Sequence, residues 1–220
     1  MNTDDFVIDL KEFNYDRHVL RDIFDQARPN GRIKALKWRL PGGLVPVDQA
    51  VNLVIQHGEN MMVDPTKAHL SYDLLQHDYI RDMVKRLNFD HEITSGNVDI
   101  IWNRKGFVFE PHVDHYAKAT MIWTILPIEQ GAKISFYNKE KIQYELGQAL
   151  GFRDILKKED ILHTHVYGVD YPSIFNSHWP HGVSLVNDKE RVCLRLRIDE
   201  PFESIVKKYR TGTLIKPLAI

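Results

Sequence analysis

The chain has 220 residues, 43% of them hydrophobic, which is enough for one substantial core and too few for two ordinary domains to be expected. Its 29 Lys and Arg are balanced by 30 Asp and Glu, so electrostatics gives no reason to expect a nucleic-acid or anionic-membrane partner. Cys193 is the only cysteine, which excludes an internal disulfide, and Asp4, Asp5 and Asp9 stand where an export signal would be basic and then apolar. The expectation is a cytoplasmic protein. The longest nearly uncharged apolar run, 119–128, is about half the roughly 20 residues of a membrane-spanning helix, so no membrane span is expected either.

Taken in chain order, residues 1–95 read as mainly helical. Apolar positions recur three and four apart in Val19, Ile23 and Phe24, in Val47, Val51, Val54 and Ile55, and in Leu74, Leu75, Ile80, Met83 and Leu87, with Ser71 as an N-cap for the last of these helices. Pro29-Asn30-Gly31, Pro41-Gly42-Gly43 and Asp64-Pro65 supply the breaks. From about residue 97 the pattern turns to short β-rich runs at 98–102, 107–114, 119–126, 132–137, 161–167, 172–176, 181–186 and 191–198, bounded by Gly, Pro, Asn or Asp. Eight strands in about one hundred residues predict an α+β fold with a mainly β core, a closed antiparallel barrel with the N-terminal helices packed on one sheet. Residues 139–160 interrupt the strand rhythm with a charged run and read as an inserted helix or lid over the barrel mouth. Residues 201–220 read as a C-terminal tail to a single domain.

His112 and Asp114 stand two apart in a strand-like run, so both side chains point to one face while Val113 points to the other. His181, 69 residues after His112, supplies a second imidazole. Two neutral imidazoles and one carboxylate form the facial triad suited to Fe(II), leaving open positions for an anionic chelator and dioxygen. His178 competes with His181 for the third place. In the run at 191–198, Val192, Leu194, Leu196 and Ile198 alternate with Arg191, Cys193, Arg195 and Arg197, which makes a two-faced strand. If the apolar face packs on the helices, the arginine face turns inward, where a buried guanidinium needs an anion. A carboxylate fits it best, through two parallel donors. His163 and His165 read as strand residues rather than ligands, and Trp102, Trp123 and Trp179 as core or cavity wall.

With these residues assembled, the sequence resembles the 2-oxoglutarate/Fe(II) dioxygenases of double-stranded β-helix (jelly-roll, cupin-like) fold over about 95–200. Their pattern is H-x-D, a distal His, and a basic residue on the last core strand. Here His112-x-Asp114 and His181 fit, and Arg191 follows His181 by ten residues, a spacing that favours His181 over His178. Arg195, fourteen residues on, is the reserve anchor or a second anion contact. The resemblance implies that Fe(II) is held by the triad, that 2-oxoglutarate is bound through Arg191, and that dioxygen is used to hydroxylate a small molecule or an amino-acid or peptide side chain, releasing succinate and CO2. Several members carry R-x-S where this chain has Arg191-Val192-Cys193, and Tyr137, Asn138 and Thr124 are the candidates for the missing second contact. Two other functions use the same ligands: a cupin-like metal-binding module that oxidises nothing, and a zinc-dependent hydrolase or isomerase. An inward arginine strand serves neither.

Overall fold

The computed structural model describes residues 3–27, 32–34, 44–46, 67–70, 74–103, 108–114, 117–129, 132–141, 156–184 and 190–217. Among them the chain runs β1 (Val7–Asp9), α1 (Arg17–Ala27), β2 (Arg32–Lys34), β3 (Leu44–Pro46), β4 (Lys67–Leu70), α2 (Asp78–Lys85), β5 (Val98–Asn103) and β6 (Val108–His112). It continues β7 (Ala119–Leu126), β8 (Lys133–Tyr137), β9 (Ile161–Val166), β10 (Ser173–Asn176), β11 (His181–Ser184), β12 (Arg191–Ile198) and α3 (Phe202–Arg210). All eight strands expected between 98 and 198 are present, and β7 and β12 have the expected bounds.

The strands form two antiparallel sheets, a larger one in the order β1-β10-β7-β12-β5-β4-β2-β3 and a smaller one in the order β6-β11-β8-β9. This is a jelly-roll-like arrangement. The two faces of β12 explain how the layers stack. Val192, Leu194, Leu196 and Ile198 join Trp102, Met121 and Trp123 against Leu20, Ile23 and Phe24 of α1, Ile80, Met83 and Val84 of α2, and Phe202, Ile205 and Val206 of α3. Burying each such apolar side chain stabilises the fold by about 1.5–3 kcal/mol. Cys193 instead faces the second core, between the sheets, with Ile101, Ile122 and Phe175 of the larger sheet and Ile134, Phe136 and Val183 of the smaller. The helices therefore cover one face of the larger sheet and leave its other face to enclose a cavity.

Four expectations are corrected or bounded. Among the described residues of 1–95, β1 to β4 join the larger sheet alongside α1 and α2. Strands of three or four residues are too short to show a period of two, and at β1 Val7 packs between the sheets while Ile8 packs on the helix side, so both positions are apolar. The helix expected at 47–55 and its neighbour's cap at Ser71 lie outside the described residues; α2 starts instead after His77. The C-terminal segment is a helix rather than a tail, because Phe202, Ile205, Val206 and Tyr209 repeat three and four apart and pack on the core. Of the insert at 139–160, residues 142–155 lie outside the described residues, while Leu156 is buried against Val113 and Tyr137. No helix among the described residues is long and apolar enough to cross a membrane.

Candidate metal centre

The smaller sheet brings the two histidines together. His112 ends β6 and His181 begins β11, and the two are direct cross-strand partners with ring centroids 4.4 Å apart. Asp114 falls just beyond β6 rather than within it, but its N–H donates to the Ser177 carbonyl at 3.1 Å, so the segment stays tied to the chain that leads into His181. Its carboxylate oxygens lie 3.7 Å from His112 Nε2 and 4.0 Å from His181 Nε2. One ligand atom from each of the three residues lies within 4.8 Å of the others, a spacing that can hold one metal ion.

The chemistry of the donor set fits a divalent metal. His181 Nδ1 lies 2.8 Å from the Trp179 carbonyl. A carbonyl only accepts, so Nδ1 carries the hydrogen and Nε2 turns its lone pair toward His112 and Asp114. Burial holds the His181 pKa below the ordinary imidazole value, against the opposing pull of Asp114 and the Trp179 carbonyl. The ring is therefore neutral, as a ligand must be. His178, the competitor, is exposed and outside this cluster.

The triad opens onto a cavity of about 140 Å³, walled by Ile101, Ile122, Phe175 and Val183 and by the polar residues Asn103, Thr120, Tyr167, Arg191 and Arg195. Both arginines expected to point inward reach it, with different commitments. Arg195 makes two parallel hydrogen bonds to Asp99, at 2.8 and 2.5 Å. Burial opposes its charge, but Asp99 more than compensates and raises its pKa. Arg191, 4% exposed, donates among the described residues to the neutral Asn103 Oδ1 at 3.1 Å, and its Nε has no protein partner. Among the described residues no carboxylate pairs with it.

Tyr137 and Thr124 are not brought to the cavity wall. Tyr137 turns outward at the end of β8 toward Val113 and Leu156, and Thr124 lies further along β7 than the wall residues Thr120 and Ile122, opposite Cys193. The polar residues that do reach the wall and that the sequence did not single out are Asn103, Thr120 and Tyr167. Tyr167 continues the inward row of His163 and His165, its ring edge-on to His165 at 6.0 Å and its face 5.4 Å from the Arg191 guanidinium. Asn103 is the cross-strand partner of Arg191. Trp102 and Trp123 are core residues, and Trp179 braces the loop before His181 by donating to the Tyr137 carbonyl at 2.7 Å.

Fold and site together define a jelly-roll protein with a His-Asp-His cluster able to bind a metal ion. No protein-family model matches the sequence. No curated protein matches it. Among solved structures it is similar to a mutant of Bacillus subtilis oxalate decarboxylase, at 13% identity and TM-score 0.30 over 47% of this chain and 22% of that one. It is similar to a formate complex of Lactobacillus farciminis oxalate decarboxylase at 14% identity and TM-score 0.29, over 47% of this chain and 24% of that one. It is also similar to the non-heme alpha ketoglutarate dependent epimerase SnoN from nogalamycin biosynthesis, at 10% identity and TM-score 0.43, over 87% of this chain and 77% of that one. The chain thus spans under a quarter of the length of these oxalate decarboxylases.

Proposed function

We propose that the protein is a non-haem Fe(II)- and 2-oxoglutarate-dependent oxygenase acting on a small molecule or on an amino-acid or peptide side chain in the cytoplasm. The observation that carries this reading is the pairing, in one cavity, of the His112–Asp114–His181 cluster with a buried arginine that has no carboxylate partner among the described residues. His112, Asp114 and His181 would hold the iron, and Arg191 would take the remote carboxylate of 2-oxoglutarate. Bound together, iron and 2-oxoglutarate supply the activation of dioxygen, with succinate and CO2 as by-products and a hydroxylated substrate as the expected outcome.

The protein's own share is positioning and exclusion of water. Two neutral imidazoles and one carboxylate leave a divalent ion with net positive charge, which favours an anionic chelator. Ile101, Ile122, Phe175 and Val183 form an apolar part of the wall of the cavity that holds both the cluster and Arg191, which strengthens the attraction between Arg191 and a carboxylate. A zinc-dependent hydrolase or a bare metal module would use the same three ligands without an anion anchor, and Arg191 speaks against both. The test is anaerobic titration of Fe(II)-loaded protein with 2-oxoglutarate. The expected result is the visible charge-transfer absorption of the chelate; iron-loaded protein that gives no spectral change with 2-oxoglutarate contradicts the proposal.

A further inference from the structure

The edge of a sheet presents a row of unpaired N–H and C=O groups, which proteins blunt with proline, with charge or by keeping the strand short. Among the described residues three of the four sheet edges follow that rule. β6 contains Pro111, β3 is three residues long and ends at Pro46, and β1 is three residues long and ends at Asp9. β9, the edge of the smaller sheet opposite β6, does not. Its six residues hold no proline, lysine, arginine or carboxylate, and they turn two large apolar side chains to solvent, Leu162 at 44% and Val166 at 38% exposure. The register with β8 shifts only at the Leu162 end, and His163 to Val166 stay in step. Tyr167 N–H donates toward the β8 side, to the Ala132 carbonyl at 3.0 Å. Backbone groups alternate in direction along an antiparallel strand, so those of His163 and His165 face β8 as well, and Thr164 and Val166 turn theirs to the free edge.

The sequence of this edge is nearly its own mirror about Thr164: His163 answers His165, and Leu162 answers Val166. We propose that β9 is a self-association edge, through which two copies of the chain join their smaller sheets antiparallel about a two-fold axis at Thr164. In that register Thr164 meets the partner's Thr164 as a hydrogen-bonded pair, and Leu162 of each copy packs on Val166 of the other on the solvent face. An unrelated extended peptide would give no reason for that symmetry. Charge agrees with it. The exposed residues leading into β9, Lys157, Lys158 and Glu159, sum to one positive charge, and Asp170 beyond its other end is exposed and held only loosely by Arg17 at 3.9 Å. Antiparallel copies bring the basic start of one strand to the acidic end of the other. Because both copies use the same patch, the assembly closes at two. A six-residue strand is about 20 Å long and covers less than the roughly 800 Å² per partner of a standard interface, so the dimer is weak and dissociates on dilution. This pairing does not depend on the oxygenase reading.

The experiment is sedimentation equilibrium of the whole chain over roughly a hundred-fold range of concentration. The wild type should pass from monomer to dimer as concentration rises. Val166→Lys, which sets a charge in the edge at an exposed position, should stay monomeric throughout while melting as the dilute wild type does. Cysteine substitution reads the register, since the native Cys193 is buried. Thr164→Cys should form a covalent dimer under a mild oxidant, because residues directly paired across hydrogen-bonded strands stand about 5.5 Å apart at Cα, within disulfide range. Leu162→Cys should not, because its counterpart in the other copy lies four residues along, about 13 Å away. A wild type that is monomeric at the highest concentration overturns the proposal and leaves the edge to an extended segment of a different protein. A dimer that survives Val166→Lys, or one in which Leu162→Cys cross-links as readily as Thr164→Cys, overturns it too.

Discussion

The two ends of the cavity are built differently. At the metal end the residues come from the smaller sheet and the turn after it, and two are partly open to solvent: the His112 and Asp114 side chains are 16% and 30% exposed. At the other end Arg191 and Asn103 come from the larger sheet and Tyr167 from the strand end facing it, and all three are buried. On the proposed function the difference separates two tasks. An exchangeable metal needs ligands that are deprotonated and reachable, while discrimination between anions needs donors fixed in a dry, low-dielectric wall where an unmatched group is costly. The same contrast divides the two arginines of β12. Arg195 is internally neutralised by Asp99, whereas Arg191 leans on a neutral amide.

The comparison can be broken most severely at the metal end. His181→Ala removes one of three ligands, and no neighbour on its strand face can replace it, since the next inward residue is Val183. Metal affinity should fall by more than the roughly 10- to 100-fold typical of losing only an outer partner of a ligand, as read by Fe(II) titration. Next in size, Arg195→Gln should act on stability rather than on binding. It removes both charge-assisted hydrogen bonds to Asp99, whose side chain is only 12% exposed, at a cost on the order of 3 kcal/mol, visible as a fall in melting temperature of roughly 6–12 °C. Arg191→Gln, which strands no carboxylate among the described residues, should melt close to the wild type.

The smallest effect concerns pH. Burial lowers the pKa of both His181 and His163 below 6.5, in His163 with help from the charge of His165. The unfolded chain therefore takes up protons that the folded metal-free protein refuses once the pH falls below 6.5. Stability conferred by the two neutral rings is fully present above that value and is lost as the pH drops below it. Chemical denaturation of metal-free protein at a series of pH values should show this slope, and His163→Gln should make it shallower.

Much of this was legible in the sequence because the signal was local. The alternation in β12 announced one apolar and one basic face, the spacing of His112 and Asp114 put two side chains able to hold a metal together, and ten residues from His181 led to Arg191. Asn103 was not legible, since it owes its place on the cavity wall to cross-strand register with a residue 88 positions away. Tyr167 arrives because the smaller sheet folds over the larger, and only its two-residue spacing from His163 and His165 hinted at an inward face. Tyr137 and Thr124 lie off the cavity wall for separate reasons: Tyr137 packs with Val113 and Leu156, and Thr124 sits further along β7 than the wall residues Thr120 and Ile122. Polarity near a strand end says nothing about which side the chain turns, and at Tyr137 it turns outward. The helix at 202–210 did carry a readable three-and-four repeat, obscured by its place after the last strand.

The division of labour between the two ends is tested most directly by paired anaerobic titrations of Arg191→Gln, with Fe(II) first and 2-oxoglutarate second, and Arg195→Gln alongside. Arg191→Gln should bind iron as the wild type does while its Kd for 2-oxoglutarate rises roughly ten- to a hundred-fold, the loss expected for charge-assisted hydrogen bonds to one carboxylate. Unchanged 2-oxoglutarate affinity in Arg191→Gln, with the loss appearing in Arg195→Gln instead, would contradict the account.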